Sequence, residues 1–165
     1  MYKGIHLMKN VEIILPLSVL LSFSFVYTQT IVDFSGEWLL NKERSQFQLK
    51  ILDSLEKGVV RIDHKEPVFR LHRVFTSNGH DDSLSYELTT DGKEATTQEG
   101  DQKHISRLYW EEDTLVYVTR IFAPQGEATN TVRYHLEENG RTLQTEEQFS
   151  GPRLKYDNLW VFEKI

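Results

Sequence analysis

Residues 33–41 read Asp-Phe-Ser-Gly-Glu-Trp-Leu-Leu-Asn, and this short stretch decides how the rest of the chain is interpreted. It follows directly on an apolar leader, and it precedes a chain that from about Val59 onward consists of short alternating segments and tight turns. Trp38 and Leu40 are two residues apart, so they share one face of a strand. We predict the first strand of a β-barrel here, with Gly36 and Trp38 as a structural plug that closes one barrel end.

The segment after this strand predicts a short helical turn. Asn41 is a typical helix N-cap, and it precedes the polar residues 42–45. The next residues, 47–52, fit either a short second strand or a helix that continues to Lys57, and Gly58 would end either of them.

The first 28 residues predict a secretory signal peptide. Lys3 and Lys9 supply positive charge before an apolar run over residues 13–26. That run is shorter than the roughly 20 residues that span a bilayer. We therefore expect a periplasmic or secreted protein whose mature domain covers residues 31–165, with Met8 as an alternative start. An uncleaved membrane anchor is the alternative interpretation.

Composition narrows the classes of function. The chain has no cysteine, which excludes a disulfide framework and Cys-ligated metals. Its 25 acidic residues outnumber 19 Lys and Arg, and removal of the leader makes the balance more acidic. An acidic surface disfavours nucleic acid and anionic lipid. We expect neither nucleic-acid binding nor membrane association after cleavage; the oligomeric state is not predicted.

Short strands at regular spacing dominate the mature chain. Turn signals such as Glu66-Pro67, Asp91-Gly92 and Asn139-Gly140 separate runs of alternating polarity. The predicted strands are residues 36–40, 59–65, 68–76, 83–90, 94–97, 103–111, 114–122, 127–136, 142–149 and 156–163.

This arrangement predicts an all-β fold. The connections are too short for crossover helices, so the strands should be antiparallel. Closure of a meander removes its exposed edges. We predict an antiparallel up-and-down β-barrel of about 8–10 strands, and a two-sheet sandwich is the alternative.

Several motifs, taken in their order, resemble a known group. They are residues 34–41 with Ser45 and Phe47, residues 62–67, residues 106–110 and 113–116, residues 139–143, and residues 161–164. In these the chain resembles bacterial exported lipocalin-like (calycin-type) β-barrel proteins of unassigned function. The resemblance implies a barrel and a hydrophobic ligand, and it supplies no catalytic residues. The lipocalin pattern also implies a late arginine stacked on the Trp, for which Arg153 is the nearest candidate.

Strand pairing indicates which side chains face inward. If Glu112-Asp113 forms a two-residue loop, then Trp110 faces Leu115 and Leu108 faces Tyr117. An aromatic interior with few polar groups is typical of a small-molecule pocket. The candidate pocket residues are Phe69, Leu71, Arg73, Phe75, Tyr86, Leu108, Trp110, Tyr117, Tyr134 and Glu147. A ligand should lie above Trp38; the equal alternative is a core filled by these same side chains.

Arg73 and Glu147 are the charged members of this set. An inward arginine with a facing carboxylate would orient an acid or amide group of a ligand. The alternative is that both side chains are solvated near a barrel mouth.

No catalytic, metal-binding or cofactor-binding residues are predicted. Histidines 64, 72, 80, 104 and 135 lack the spacing of a metal site, and Ser106 near His104 lacks a nucleophile elbow. We predict a binding module for a small hydrophobic or amphipathic molecule and expect no enzymatic activity. The alternatives are a filled-core interaction or structural protein that acts through surface loops and, less favoured, a small barrel isomerase or cyclase.

Overall fold

The computed structural model describes residues 32–165, which form ten strands and one 3-10 helix. The predicted signal peptide, residues 1–28, lies outside the described residues. The elements in chain order are β1 Gly36–Leu40, the 3-10 helix Lys50–Ser54, β2 Leu55–Lys65, β3 Val68–Ser77, β4 His80–Thr89, β5 Ala95–Glu99, β6 Gln102–Glu111, β7 Thr114–Ala123, β8 Gly126–Glu137, β9 Thr142–Ser150 and β10 Lys155–Lys164.

All ten strands belong to one antiparallel sheet, in the order β4-β3-β2-β1-β10-β9-β8-β7-β6-β5. Consecutive strands pair as hairpins from β2 to β4 and from β5 to β10, and β1 pairs with both β2 and β10. The sheet curls into a nearly closed barrel in which β4 comes into contact with β6. The prediction of an all-β up-and-down barrel is confirmed, and the sandwich alternative is wrong.

Alternation places the apolar side chains inside. In β3, Phe69, Leu71 and Phe75 are buried, whereas Arg70 and His72 between them are exposed. β2 begins four residues earlier than residue 59, where the sequence placed it. Gly58 does not end an element but lies within β2. A Cβ atom there would come within 2.9 Å of the Phe75 ring, so glycine permits this close approach.

The connection from β1 to β2 crosses the open end of the barrel. Asn41 caps a single turn, since its Oδ1 accepts a hydrogen bond from the Arg44 backbone N at 3.1 Å. Gln46 then forms an isolated bridge to Leu159. The ambiguous residues 47–52 form neither a strand nor a helix reaching Lys57, because the chain enters the sheet at Leu55 after one short 3-10 segment.

Aromatic side chains fill the opposite end, called the closed end below. Phe34 and Trp38 are fully buried, and the Trp38 Nε1–H donates to the Phe34 carbonyl at 3.1 Å. Phe34 stacks on Trp110 with ring centres 5.9 Å apart and meets Phe69 edge-on at 6.5 Å. Phe34 therefore fills the barrel at the level where β3 and β6 approach this end.

A lysine, not an arginine, lies over the Trp38 ring. Nζ of Lys164 is 5.1 Å from the ring centre. Gly36 has φ 152° and leaves room for this side chain, because a Cβ atom would lie 2.7 Å from Cε of Lys164. Arg153, the candidate from the lipocalin pattern, is exposed in the turn between β9 and β10.

A hydrogen-bonded carboxylate joins the β2–β3 turn to the closed end. Glu66 accepts from Trp110 Nε1 at 2.8 Å, from Thr90 Oγ1 and from His64 Nε2 at 3.0 Å. His64 donates through Nε2 because its Nδ1 accepts from the Phe34 backbone N. Burial raises the pKa of Glu66, but these three hydrogen bonds outweigh it, so the pKa lies below its ordinary value.

Trp38→Ala should lower the free energy of unfolding by about 3–5 kcal/mol, because it removes a fully buried indole from the core. Chemical denaturation of residues 31–165 measures this. The control Leu154→Ala truncates an exposed side chain and should change stability by less than about 0.5 kcal/mol. An unchanged stability of the Trp38 variant would show that this end is not held by Trp38.

Candidate ligand-binding site

A cavity of about 110 Å³ lies inside the barrel. Seven of the ten predicted pocket residues line it: Leu71, Arg73, Phe75, Tyr86, Tyr117, Tyr134 and Glu147. They come from β3, β4, β7, β8 and β9, so the cavity is enclosed by strands on both sides of the barrel. The pocket residues were predicted from alternation, and these seven share one interior space.

The other three predicted pocket residues lie below the cavity. Phe69 and Leu108 are fully buried at the closed end, and Trp110 stacks on Phe34 and bonds to Glu66. All three point inward, as their strand positions predict. They do not reach the cavity wall because Phe34 occupies the barrel interior at their level.

Eight further residues line the cavity that were not among the predicted site residues. They are Val60, Leu84, Asn130, Val132, Leu143, Thr145, Trp160 and Phe162. The sequence signal was present for Leu84, Val132 and Leu143, each of which lies between two polar residues, but not for Trp160 and Phe162, which lie in the apolar run 159–162. Cross-strand pairing of Val132 with Tyr117 and of Thr145 with Trp160 puts them on the inner face.

Three tyrosines form one wall. Tyr86 and Tyr117 stack with ring centres 5.0 Å apart, and the Tyr86 hydroxyl is 2.8 Å from that of Tyr134. Burial raises the pKa of Tyr86 well above its ordinary value, and the charge and hydrogen bond of Tyr134 add to this. Burial also raises the pKa of Tyr134. Both phenols are therefore neutral at physiological pH and act as hydrogen-bonding groups.

Stacked aromatic rings form the facing wall. The ring centre of Trp160 is 5.0 Å from that of Phe75 and 6.4 Å from that of Phe162. Trp160 also packs against Phe47 of the β1–β2 connection, with ring centres 4.6 Å apart. The cavity thus has flat, apolar faces on two sides, which suit the chain or ring of a hydrophobic molecule.

The carboxylate of Glu147 collects four hydrogen bonds. Its Oε1 accepts from Nδ2 of Asn130 at 3.3 Å and from the hydroxyl of Tyr156 at 3.4 Å. Its Oε2 accepts from Nδ2 of Asn158 and Nε1 of Trp160, both at 3.0 Å. Burial raises the pKa of Tyr156 to about 12, and the charge of Glu147 contributes. The four donors fix this acidic group in place.

Arg73 is the cationic group of the cavity wall. Its Nη2 lies 2.8 Å from Oδ2 of Asp82 in β4, and its guanidinium lies 4.5 Å over the Phe75 ring. Arg73 is therefore held by Asp82 rather than by Glu147, although both line the cavity. Its Nε is buried and makes no hydrogen bond to another protein atom.

A second hollow of about 420 Å³, here called the vestibule, adjoins the cavity at the open end. The 3-10 helix contributes Ile51 and Leu52 to its wall, and β4 contributes Asp81 and Asp82. Four residues line both the cavity and the vestibule and form the neck between them: Arg73, Phe75, Glu147 and Trp160.

The described residues give less support to metal binding or to catalysis by a serine. Within residues 32–165 no group of three or more His, Asp or Glu side chains is placed to hold a metal ion. Ser106 donates to Thr119 at 2.8 Å and lies 3.3 Å from the Tyr117 hydroxyl, so its neighbours are not those of a catalytic serine. No helix in the described part of the chain is long and apolar enough to cross a membrane.

Comparison with solved structures identifies the fold. The chain is similar to zebrafish ileal bile acid-binding protein in complex with cholic acid, with TM-score 0.51, 16% identity, and coverage of 80% of this chain and 98% of that one. It is also similar to a secretory abundant heat soluble protein from Ramazzottius varieornatus, with TM-score 0.51, 13% identity and coverage of 79% and 94%.

A fatty acid-binding protein from brain tissue of Drosophila melanogaster matches with TM-score 0.48, 17% identity and coverage of 78% and 98%. No protein-family model and no curated protein sequence matches the chain. At these identities the likeness shows the fold alone, an antiparallel β-barrel.

Raising the pH should destabilise the barrel through its buried tyrosines. A phenol whose folded pKa is raised contributes full stability below its unfolded pKa, about 10, and loses that stability as pH rises towards the folded value. The free energy of unfolding should therefore fall from pH 10 towards pH 12, the pKa to which Tyr156 is raised. Urea denaturation of wild type and Tyr156→Phe over this range measures it. The variant should lose stability less steeply; equal slopes would contradict the assignment.

Proposed function

We propose that this protein binds a small amphipathic molecule inside its barrel. The observation that carries the proposal is an apolar, aromatic-walled cavity whose neck holds two charged side chains, Arg73 and Glu147. The apolar part of a ligand would lie against Tyr86 and Trp160, and its polar part would lie at Arg73 and Glu147. Support also comes from the fold likeness to a protein whose structure holds cholic acid.

Cavity volume limits the size of that molecule. A cavity of about 150 Å³ lined by apolar side chains binds benzene. The interior here, about 110 Å³, matches a short chain or a single small ring. Whole-ligand pockets are usually about 300–1,000 Å³. A larger ligand would therefore place only one end in the cavity and the remainder in the vestibule, whose volume is about 420 Å³.

The tightly packed closed end favours a second candidate, a filled-core protein that acts through its surface loops. Phe34, Phe69 and Leu108 are fully buried there. Native mass spectrometry of protein purified from its own host separates the two candidates. A reproducible co-purifying small molecule supports the carrier, and bare protein in every preparation supports the filled core.

We also propose that the chain is exported and that the leader is removed. The support is the sequence of residues 1–28, with Lys3 and Lys9 before an apolar run. N-terminal sequencing of the protein from its host should find a mature end between residues 28 and 31. A protein that retains Met1 or Met8 would contradict cleavage, and recovery from the cytosolic fraction would contradict export.

Filling the cavity should abolish binding of a small probe. Val132→Trp adds an indole at the cavity wall, and its matched control Val118→Trp adds the same group to the outer face of β7. With 1-hexanol as the probe, wild type and Val118→Trp should bind equally, and Val132→Trp should bind at least about tenfold more weakly. NMR titration measures the affinities, with melting temperatures as the check on folding. Equal binding by Val132→Trp would place the alcohol outside the cavity.

A further inference from the structure

Two residues of the cavity wall each carry a buried polar atom, one donor and one acceptor, that no protein group uses. Nε of Arg73 and Oδ1 of Asn130 are both buried, both belong to residues of the cavity wall, and neither has a protein partner. The third such atom of the described residues, Nε2 of His104, belongs to a residue outside that wall. Buried polar atoms are nearly always satisfied by some partner, so this donor and acceptor define what a ligand can offer them.

Every acceptor site of Glu147 faces a donor of the protein. Asn130, Tyr156, Asn158 and Trp160 supply four donors to two oxygens, so the carboxylate needs nothing from a ligand. Glu147 can still act on a ligand through its negative charge, which the four hydrogen bonds hold at the neck. A second carboxylate brought to this point would be repelled.

Arg73 does not offset that repulsion. Its guanidinium is already paired with Asp82 at 2.8 Å, so an anionic ligand would have to compete with Asp82 for it. The charged groups of the cavity and vestibule walls are one arginine and three carboxylates, Asp81, Asp82 and Glu147, with His80 at the rim. The field along the entry route is therefore unfavourable to anions.

We propose that the bound molecule carries a neutral head group that both donates and accepts hydrogen bonds, such as a primary amide, and that a carboxylate head is rejected. The amide carbonyl is the kind of acceptor that Nε of Arg73 lacks, and the amide NH₂ is the kind of donor that Oδ1 of Asn130 lacks. This inference rests on the proposed function and narrows it: the charge of the head group, rather than the length of the apolar tail, is the main basis of selection.

A pair of probes that differ only in the head group tests this. Hexanamide and hexanoate have the same short tail, which the cavity volume of about 110 Å³ suits. At neutral pH, NMR titration of the mature domain should show hexanamide binding at least about tenfold more tightly than hexanoate, the effect of one unscreened like-charge contact. Equal affinities for hexanamide and hexanoate would overturn the inference, because they would show that the polar groups of the neck do not select the head group.

Three variants identify the source of the preference. Glu147→Gln removes the charge at the neck and should reduce the preference for the amide by about tenfold. If that variant fails to fold, Asp82→Asn serves instead, since it frees Arg73 by a change at an exposed residue and should raise hexanoate affinity. Asp101→Asn, in the exposed turn between β5 and β6, removes the same charge far from the neck and should change neither affinity.

The possible results separate the two proposals. If hexanoate binds as tightly as hexanamide or more tightly, the head-group inference fails while the binding function stands. If neither hexanamide nor hexanoate binds, and 1-hexanol also fails to bind, the binding function fails and the inference fails with it. A preference for the amide that Glu147→Gln and Asp82→Asn both leave intact would show that the neck charges do not cause it.

Discussion

The pairing of β1 with both β2 and β10 is the constraint on which the barrel depends. Strands β2 to β4 form one hairpin series and β5 to β10 form another, and β1 is the strand that joins them. With only five residues it is as short as any strand of the sheet, yet Trp38 pairs with Val60 on one side and Lys164 on the other. Burial of the Trp38 ring and the ladder hydrogen bonds of β1 therefore reinforce each other, because neither forms unless both hairpin series are in place.

The two ends of the barrel differ because different side chains fill them. At the closed end Phe34 folds across the opening and packs against Trp110 and Phe69, so apolar surface is buried without a cavity. Towards the open end the inward positions are occupied by polar groups such as Arg73 and Glu147. Hydrogen bonding satisfies most of their polar atoms, but such groups do not pack as densely as rings. The cavity lies between the densely packed aromatic rings of the closed end and these polar side chains.

Alternation and turn residues were sufficient to predict the strands and the inward faces, since both depend on local sequence. They could not predict the level of a side chain along the barrel axis, which depends on strand register and tilt. Trp110 was therefore assigned to a pocket although it lies beneath one. The partner of Arg73 was equally hard to predict. The sequence suggested Glu147, but the β3–β4 register brings Asp82 to Arg73. Residues 47–52 remained ambiguous because their conformation depends on the barrel end they cross.

The seam where β4, one edge strand of the sheet, meets β6 is the one place in residues 32–165 where neighbouring strands of the barrel meet without a ladder. A fully hydrogen-bonded ring fixes its own circumference, because widening it breaks backbone bonds at some strand pair. Here backbone contacts cross the seam at Asp91, which forms an isolated bridge with Tyr109, and at Gly92, whose N donates to the Leu108 carbonyl at 2.9 Å. Along the rest of the seam no ladder fixes the circumference. Tyr86 projects from β4, beside the seam, and its hydroxyl reaches Tyr134 across the interior. A contact between two phenols thus ties the edge strand β4 to β8 across the interior, so side-chain packing helps to set the width of the barrel where the ladder is missing.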